Sequence, residues 1–231
     1  MNSYFVTGTD TGVGKTAITA AIAYSLRRRG IDVGVMKPIA TGVAQKAGPF
    51  RSEDVALLHD SSQVKDDEKT INPVFLPLPV SPYDASKILG LEIDMGIVFE
   101  RYGYLVKSHQ MVLVEGIGGI MTPITKDFFV ADMIKQMGLE TIVVTRSTLG
   151  TINHTTMTIE MCRKYRIPVR GLIINYFDEN GTPAERNAPS TLHEVTGLPI
   201  LGIIPFVRDY QKPEAMANIV EKNIDLNALI S

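Results

Sequence analysis

The stretch Gly8 to Thr16, GTDTGVGKT, constrains this chain more than any other because of what stands on either side of it. Ser3 to Val6 is a short apolar, aromatic-rich run with the character of a buried strand. Thr16 to Leu26 is alanine-rich with apolar residues at helical spacing, and it closes on Arg27, Arg28, Arg29 and Gly30. Strand, glycine-bearing turn and helix thus follow one another directly. In that arrangement the N–H groups of the turn and of the helix start converge on one spot and favour an anion there. Lys15 adds a full positive charge and Thr16 a hydroxyl suited to Mg²⁺. Lys15 also stands at the wrong end of a helix for a cation, a conflict that a bound anion resolves. The strict phosphate-loop spacing fails, since Thr9 holds the place of the first glycine. The flanking strand and helix, rather than the bare pattern, therefore carry the assignment to a nucleoside-triphosphate site.

Further along, Asp32 to Met36 reads as a second strand that ends in Lys37-Pro38-Ile39-Ala40-Thr41-Gly42. Ligands of open parallel α/β sheets gather at the carboxyl ends of the strands, so Lys37 belongs on the same edge as the phosphate loop. A solvated strand-end cation is its plainer reading. Arg51 to Asp60 has helical character with Ser52 as N-cap, and Asp54 in its first turn either complements the helix dipole or serves a metal. Asn72 to Pro82 holds four prolines and cannot be regular throughout. Ile93 to His109 is a helix, and Gln110 to Val114 a strand that runs into Glu115-Gly116-Ile117-Gly118-Gly119. A carboxylate at the tip of a buried strand beside glycines suits Mg²⁺, and Gly116 and Gly118 let backbone approach an anion. Helices are expected over Asp127 to Gly138, Leu149 to Tyr165, Pro189 to Thr196 and Ala215 to Leu229. Strands are expected over Thr141 to Thr145, Val169 to Asn175 and Pro199 to Ile204. The helix start at Gly150 to Asn153 can cap itself or hold a carboxylate. Asn175 has the donor–acceptor pair that an adenine edge needs, or serves as a turn residue.

The expected fold is α/β: one P-loop NTPase-like domain over residues 1–231, with a mostly parallel seven-stranded sheet and helices on both faces. A net charge of −2 leaves no basic field to hold nucleic acid or an anionic membrane. The single cysteine, Cys162, excludes an internal disulfide and a cysteine metal cluster, and reads as a small core residue. No apolar run is long enough to span a bilayer and no leader precedes the first strand, so a cytoplasmic protein is expected.

Taken together, YFVTGTDTGVGKT (4–16), KPIATG (37–42), Asp54 in RSEDVALL, VEGIGGIMTPI (114–124), LGTINH (149–154), IIN (173–175) and LGIIPF (201–206) resemble the dethiobiotin synthase family over nearly the whole chain. The resemblance implies conversion of 7,8-diaminononanoate, CO₂ or bicarbonate and MgATP into dethiobiotin, ADP and phosphate. It implies Lys15 and Lys37 as catalytic cations, Thr16, Asp54 and Glu115 as Mg²⁺ ligands, and Gly12, Val13, Gly14, Lys15 and Thr16 around the phosphates. Asp54, Glu115, Gly116 and Gly118 would complete the ATP site, with Asn175 and Pro205 at the adenine. Thr11, Lys15, Lys37, Thr41 and Gly118 would face the diamine or its carbamate. Gly150 and Asn153 would come from a second subunit of a homodimer to receive the substrate's tail carboxylate. Gly12 departs from the acidic residue common in relatives, Thr41 from serine, and Asn187 from a tyrosine that some relatives carry. A partition- or division-type ATPase switch is the rival from another class. Such switches carry a lysine where Asp10 stands here, and they would leave the Lys37 motif idle. A ligase of the cobyrinate-amidase type is the enzymatic rival, but it usually carries a further amidotransferase domain.

Overall fold

The computed structural model describes residues 2–42, 48–207 and 212–230. Its strands are β1 (Tyr4–Gly8), β2 (Val33–Met36), β3 (Ile39–Thr41), β4 (Val74–Leu76), β5 (Met111–Gly119), β6 (Glu140–Arg146), β7 (Val169–Phe177) and β8 (Ile200–Pro205). Its helices are α1 (Lys15–Arg28), α2 (Glu53–Ser62), α3 (Glu68–Ile71), α4 (Pro82–Leu89), α5 (Met95–Ser108), α6 (Val130–Met137), α7 (Thr151–Tyr165), α8 (Pro183–Thr196), α9 (Pro213–Asn223) and α10 (Asn227–Ile230).

Six strands form one sheet in the order β2-β5-β1-β6-β7-β8, every neighbouring pair parallel. Alternation along the strands sends side chains to both faces of the sheet, where three buried clusters form. Tyr4 and Val6 of β1 join Ile18, Ile22 and Leu26 of α1, Val55 and Leu58 of α2, and Val220 of α9. Phe5 joins the opposite core with Val112 and Val114 of β5, Leu105 of α5 and Ile134 of α6. Cys162 is buried in that second core, where burial pushes its thiol up to about 12, in keeping with an inert packing residue. Because all six strands point the same way, their carboxyl ends share one edge. The chain leaves β1 toward β2 on one side and reaches β6 on the other, so the loop after β1 sits at the switch in strand order where such sheets bind ligands.

Four sequence expectations are corrected. The main sheet has six strands rather than seven, and β3 and β4 pair parallel in a small sheet of their own. The chain quits the main ladder at Lys37, whose N–H donates to Ile71 O at 2.8 Å, and the turn that follows carries it to the proline-rich stretch. There β4 fits between Pro73 and Pro77, and Pro82 opens α4 at a position where its missing N–H costs nothing. Ser52 holds the N-cap position of α2, but its side chain makes no capping hydrogen bond. The C-terminal segment is two helices, because Ile224 goes extended to bridge Gly202 and Asp225 N–H donates to Leu201 O at 3.2 Å.

The fourth correction concerns α8, expected from Pro189 but starting at Pro183, so that Pro189 lies inside it. A proline there has no N–H for the carbonyl four residues back, that of Glu185. Ser147 Oγ supplies the missing donor at 2.6 Å. Ser147→Ala is therefore expected to cost about 1 kcal/mol, the worth of one part-buried hydrogen bond. Denaturant melts of Ser147→Ala with and without Pro189→Ala test this: equal costs in both backgrounds would show that the serine does not compensate for the proline.

Candidate active site

The phosphate loop is fixed by two features visible at the end of β1. Gly14, the N-cap of α1, has φ of 93°, and a Cβ there would lie 2.1 Å from Asn175 Nδ2. Only glycine fits both demands. Gly14 has no side chain to cap α1, which leaves the first N–H groups of the helix for a ligand. Lys15 begins the helix and is buried, with Nζ donating to Asp10 O at 2.9 Å. Burial, and then repulsion from Lys37, pull its ammonium down to about 8. An anion bound beside Lys15 would favour its charged form.

Beside the loop lies a second charged group. Lys37 at the end of β2 places Nζ 2.6 Å from Glu115 Oε1 on β5 and 2.8 Å from Asp54 Oδ2 in the first turn of α2. Burial works against its charge, but the two carboxylates outweigh it and hold the ammonium above its ordinary range. Glu115 is fully buried, and burial pushes its carboxyl up despite Lys37. Asp54, half-exposed, is held down by Lys37. Thr16 Oγ1 donates to Glu115 Oε1 at 2.8 Å, while Glu115 Oε2 is buried without a hydrogen-bond partner among the described residues.

That orphaned oxygen bears on the metal. Thr16, Asp54 and Glu115 are hard oxygen donors lining one cleft, a donor type that suits Mg²⁺. Among the described residues no three His, Cys, Asp or Glu side chains make a metal cage. Mg²⁺ sites completed by substrate phosphates and water need no such cage, and the residues present fit that kind.

One cleft of about 620 Å³ collects these groups. Thr11, Gly12, Gly14, Lys15 and Thr16 line it from the loop, facing Lys37, Thr41, Asp54, Glu115 and Gly118. Val13 lies buried beneath the loop, and Gly116 O accepts from Lys37 Nζ at 3.2 Å. Asn175 spends an amide N–H on Val13 O at 3.0 Å, so it braces the loop from outside the cleft lining. Pro205 is exposed at the end of β8. Gly150 and Asn153 lie at the start of α7, outside this cleft, as does Asn187 on α8. Sequence reasoning missed Tyr176, which lines the cleft with φ of 57°. Nothing in the string marks a tyrosine for the left-handed region. It also missed Asn72, fully buried, whose Nδ2 donates to Lys37 O at 2.7 Å and fixes the backbone of the catalytic candidate.

Comparison with known proteins agrees with this geometry. A family model described as an AAA domain matches residues 2–214. The chain is 50% identical over 230 residues to the ATP-dependent dethiobiotin synthetase of Nitrosopumilus maritimus, covering 100% of each. The chain belongs to the dethiobiotin synthetase family. The synthetase of Thermodesulfovibrio yellowstonii is 42% identical over 236 residues, covering 99% of this chain and 98% of its own. Members of this family are ATP-dependent ligases. Among solved structures, the MinC:MinD cell division complex of Aquifex aeolicus aligns with a TM-score of 0.61 at 16% identity, covering 100% of this chain and 96% of that one. A ParA family ATPase from Chlorobium tepidum aligns with a TM-score of 0.56 at 17% identity, covering 96% and 93%. These two share the fold of the synthetase family, and at such identities the likeness stops at the fold.

Proposed function

We propose that this chain is a single-domain cytoplasmic ligase that makes dethiobiotin from 7,8-diaminononanoate, CO₂ and MgATP. The observation that supports this most is that Lys37, held by Asp54 and Glu115, shares one cleft with Lys15 and the phosphate loop. Two negatively charged reactants can meet only where fixed positive charge offsets their repulsion.

One amine of the substrate attacks CO₂, forming an N–C bond and releasing a proton, to give a carbamate. A carbamate oxygen then attacks the γ-phosphorus and ADP departs, leaving a carbamic–phosphoric anhydride. The second amine attacks the carbonyl carbon, the C–O bond to phosphate breaks, and the cyclic urea closes with loss of a proton. In this scheme Lys15 and the loop N–H groups hold the triphosphate, and Lys37 faces the carbamate from the β2 side. Each such charge is worth roughly 3–4 kcal/mol at the transition state. Thr11, Thr41 and Gly118 line the diamine's side of the cleft. Asn175 and the segment at Pro205 flank the adenine end. Thr16, Asp54 and Glu115 would hold Mg²⁺, whose charge helps to neutralise the phosphates. Gly150 and Asn153 serve a neighbouring copy in a homodimer, a reading supported by Leu149 and Met157, which leave apolar side chains 88% and 55% exposed around that helix start.

Incubation with labelled bicarbonate, MgATP and 7,8-diaminononanoate is expected to place label in an acid-stable cyclic urea. ATP turnover indifferent to the diamine would end this reading.

A further inference from the structure

A loop that turns its N–H groups toward an anion must turn its carbonyls away, and each of those carbonyls needs a donor. Three are visible here. Asp10 O accepts from Lys15 Nζ, Val13 O from Asn175 Nδ2, and Gly12 O from Nη2 of Arg146, the last residue of β6. The first two donors come from side chains already placed in the site. Arg146 has no such assignment. It is an exposed arginine whose guanidinium lies over the ring of Tyr176, 4.8 Å from the centroid. No ion pair to it appears among the described residues, so its fixed position comes from the loop carbonyl and the aromatic face. Tyr176 is itself held, with its ring 5.8 Å from that of Phe206 and its backbone in the left-handed region. Gly12 completes the arrangement: its φ is 73°, and a Cβ there would approach Arg146 Nη2 to 3.4 Å.

The position of these residues in the sheet gives the contact its use. Lys37, just past β2, and Glu115 on β5 lie to one side of β1, whereas Arg146, Asn175 and Tyr176 stand at the ends of β6 and β7, to the other. The chemistry thus occupies one flank of the phosphate loop and a brace occupies the other. We infer that Arg146 is a positioning residue for the phosphate loop: it holds the Gly12 carbonyl outward, and Tyr176 holds Arg146. The inference deepens the proposed ATP-dependent function and rests on it.

The test is direct binding, not turnover. MgATP and MgADP are titrated calorimetrically into the full chain and into Arg146→Ala, Tyr176→Leu and the double variant, and the thermal midpoint of each ligand-free protein is recorded. Arg146→Ala is expected to weaken both nucleotides about tenfold, the scale of one charge-assisted hydrogen bond. Its ligand-free midpoint should move by no more than about 2 °C, as for other exposed substitutions. Tyr176→Leu should weaken binding in the same direction by a smaller factor, and the double variant should be no worse than Arg146→Ala alone. Affinity within twofold of the parent for Arg146→Ala, or fully additive losses in the double variant, would overturn the inference. So would a fall in affinity matched by a drop of more than about 5 °C in the ligand-free midpoint, which would make Arg146 a stability residue. Failure of the unaltered chain to bind either nucleotide overturns this inference and the proposed function together, whereas normal binding by Arg146→Ala overturns the inference alone.

Discussion

Lys37→Ala is expected to lower turnover about 100- to 1,000-fold while leaving MgATP binding nearly intact. The split follows from where the side chain sits. The phosphate loop is built from β1, α1 and the braces at Arg146 and Asn175, whereas the Lys37 ammonium makes its hydrogen bonds and ion pairs with Glu115, Asp54 and Gly116 O. The ammonium instead neutralises Glu115 and Asp54, and in the proposed reaction it is the charge that faces the carbamate. A second consequence separates this lysine from an ordinary surface cation. Its removal strands Glu115, fully buried, without a counter-charge, and breaking a buried pair in this way typically costs about 3–5 kcal/mol. The ligand-free variant should therefore melt earlier than the parent, and Mg²⁺ should recover part of the loss by supplying the counter-charge that Lys37 no longer gives. Single-turnover assays, nucleotide titrations and melts with and without Mg²⁺ check the three parts. Turnover within fivefold of the parent would remove Lys37 from the mechanism.

How far the sequence alone reaches can be judged from particular residues. GTDTGVGKT was legible because a strand, a glycine turn and a helix leave few places for a lysine, and the structure puts Lys15 at that helix start. Lys37 and Glu115 were legible as strand-end charges, since apolar runs ending in a charged residue mark the sheet edge. Their contact was not, because 78 residues separate them and register between β2 and β5 is a tertiary outcome. The small β3-β4 sheet escaped notice because its strands are three residues long and one lies among prolines. Pro189 concealed the first half of α8, since a proline argues against helix unless some other donor serves the freed carbonyl, and Ser147 lies 42 positions away in the string. Asn72, Arg146 and Tyr176 share that obscurity. Each acts through a backbone carbonyl or a ring, and such contacts leave no pattern in residue type.

Lys15 gives a pH dependence whose sign can be worked out. In the ligand-free protein its ammonium titrates at about 8, below its ordinary 10.5, through burial and the neighbouring Lys37. A bound triphosphate favours the charged form and must raise that value. Binding at pH 8 should therefore take up about half a proton, seen as a difference in apparent enthalpy between buffers of unlike ionisation heat. Affinity should be flat below pH 8 and fall by up to about tenfold per pH unit above it, until the value in the complex is reached. The effect on folding has the opposite sign. Between about 8 and 10.5 the unfolded chain holds a proton on Lys15 that the folded chain has lost, so this group's contribution to stability rises with pH across that window. Lys37, held above 10.5 by its carboxylates, stays charged there, and its stabilising pairing is lost only at higher pH. Lys15→Arg distinguishes the source, since a guanidinium keeps its charge throughout. The arginine variant should bind nucleotide with no slope between pH 8 and 10, whatever its absolute affinity. A slope that survives the replacement would assign the titration to another group and return Lys15 to an ordinary exposed lysine's behaviour.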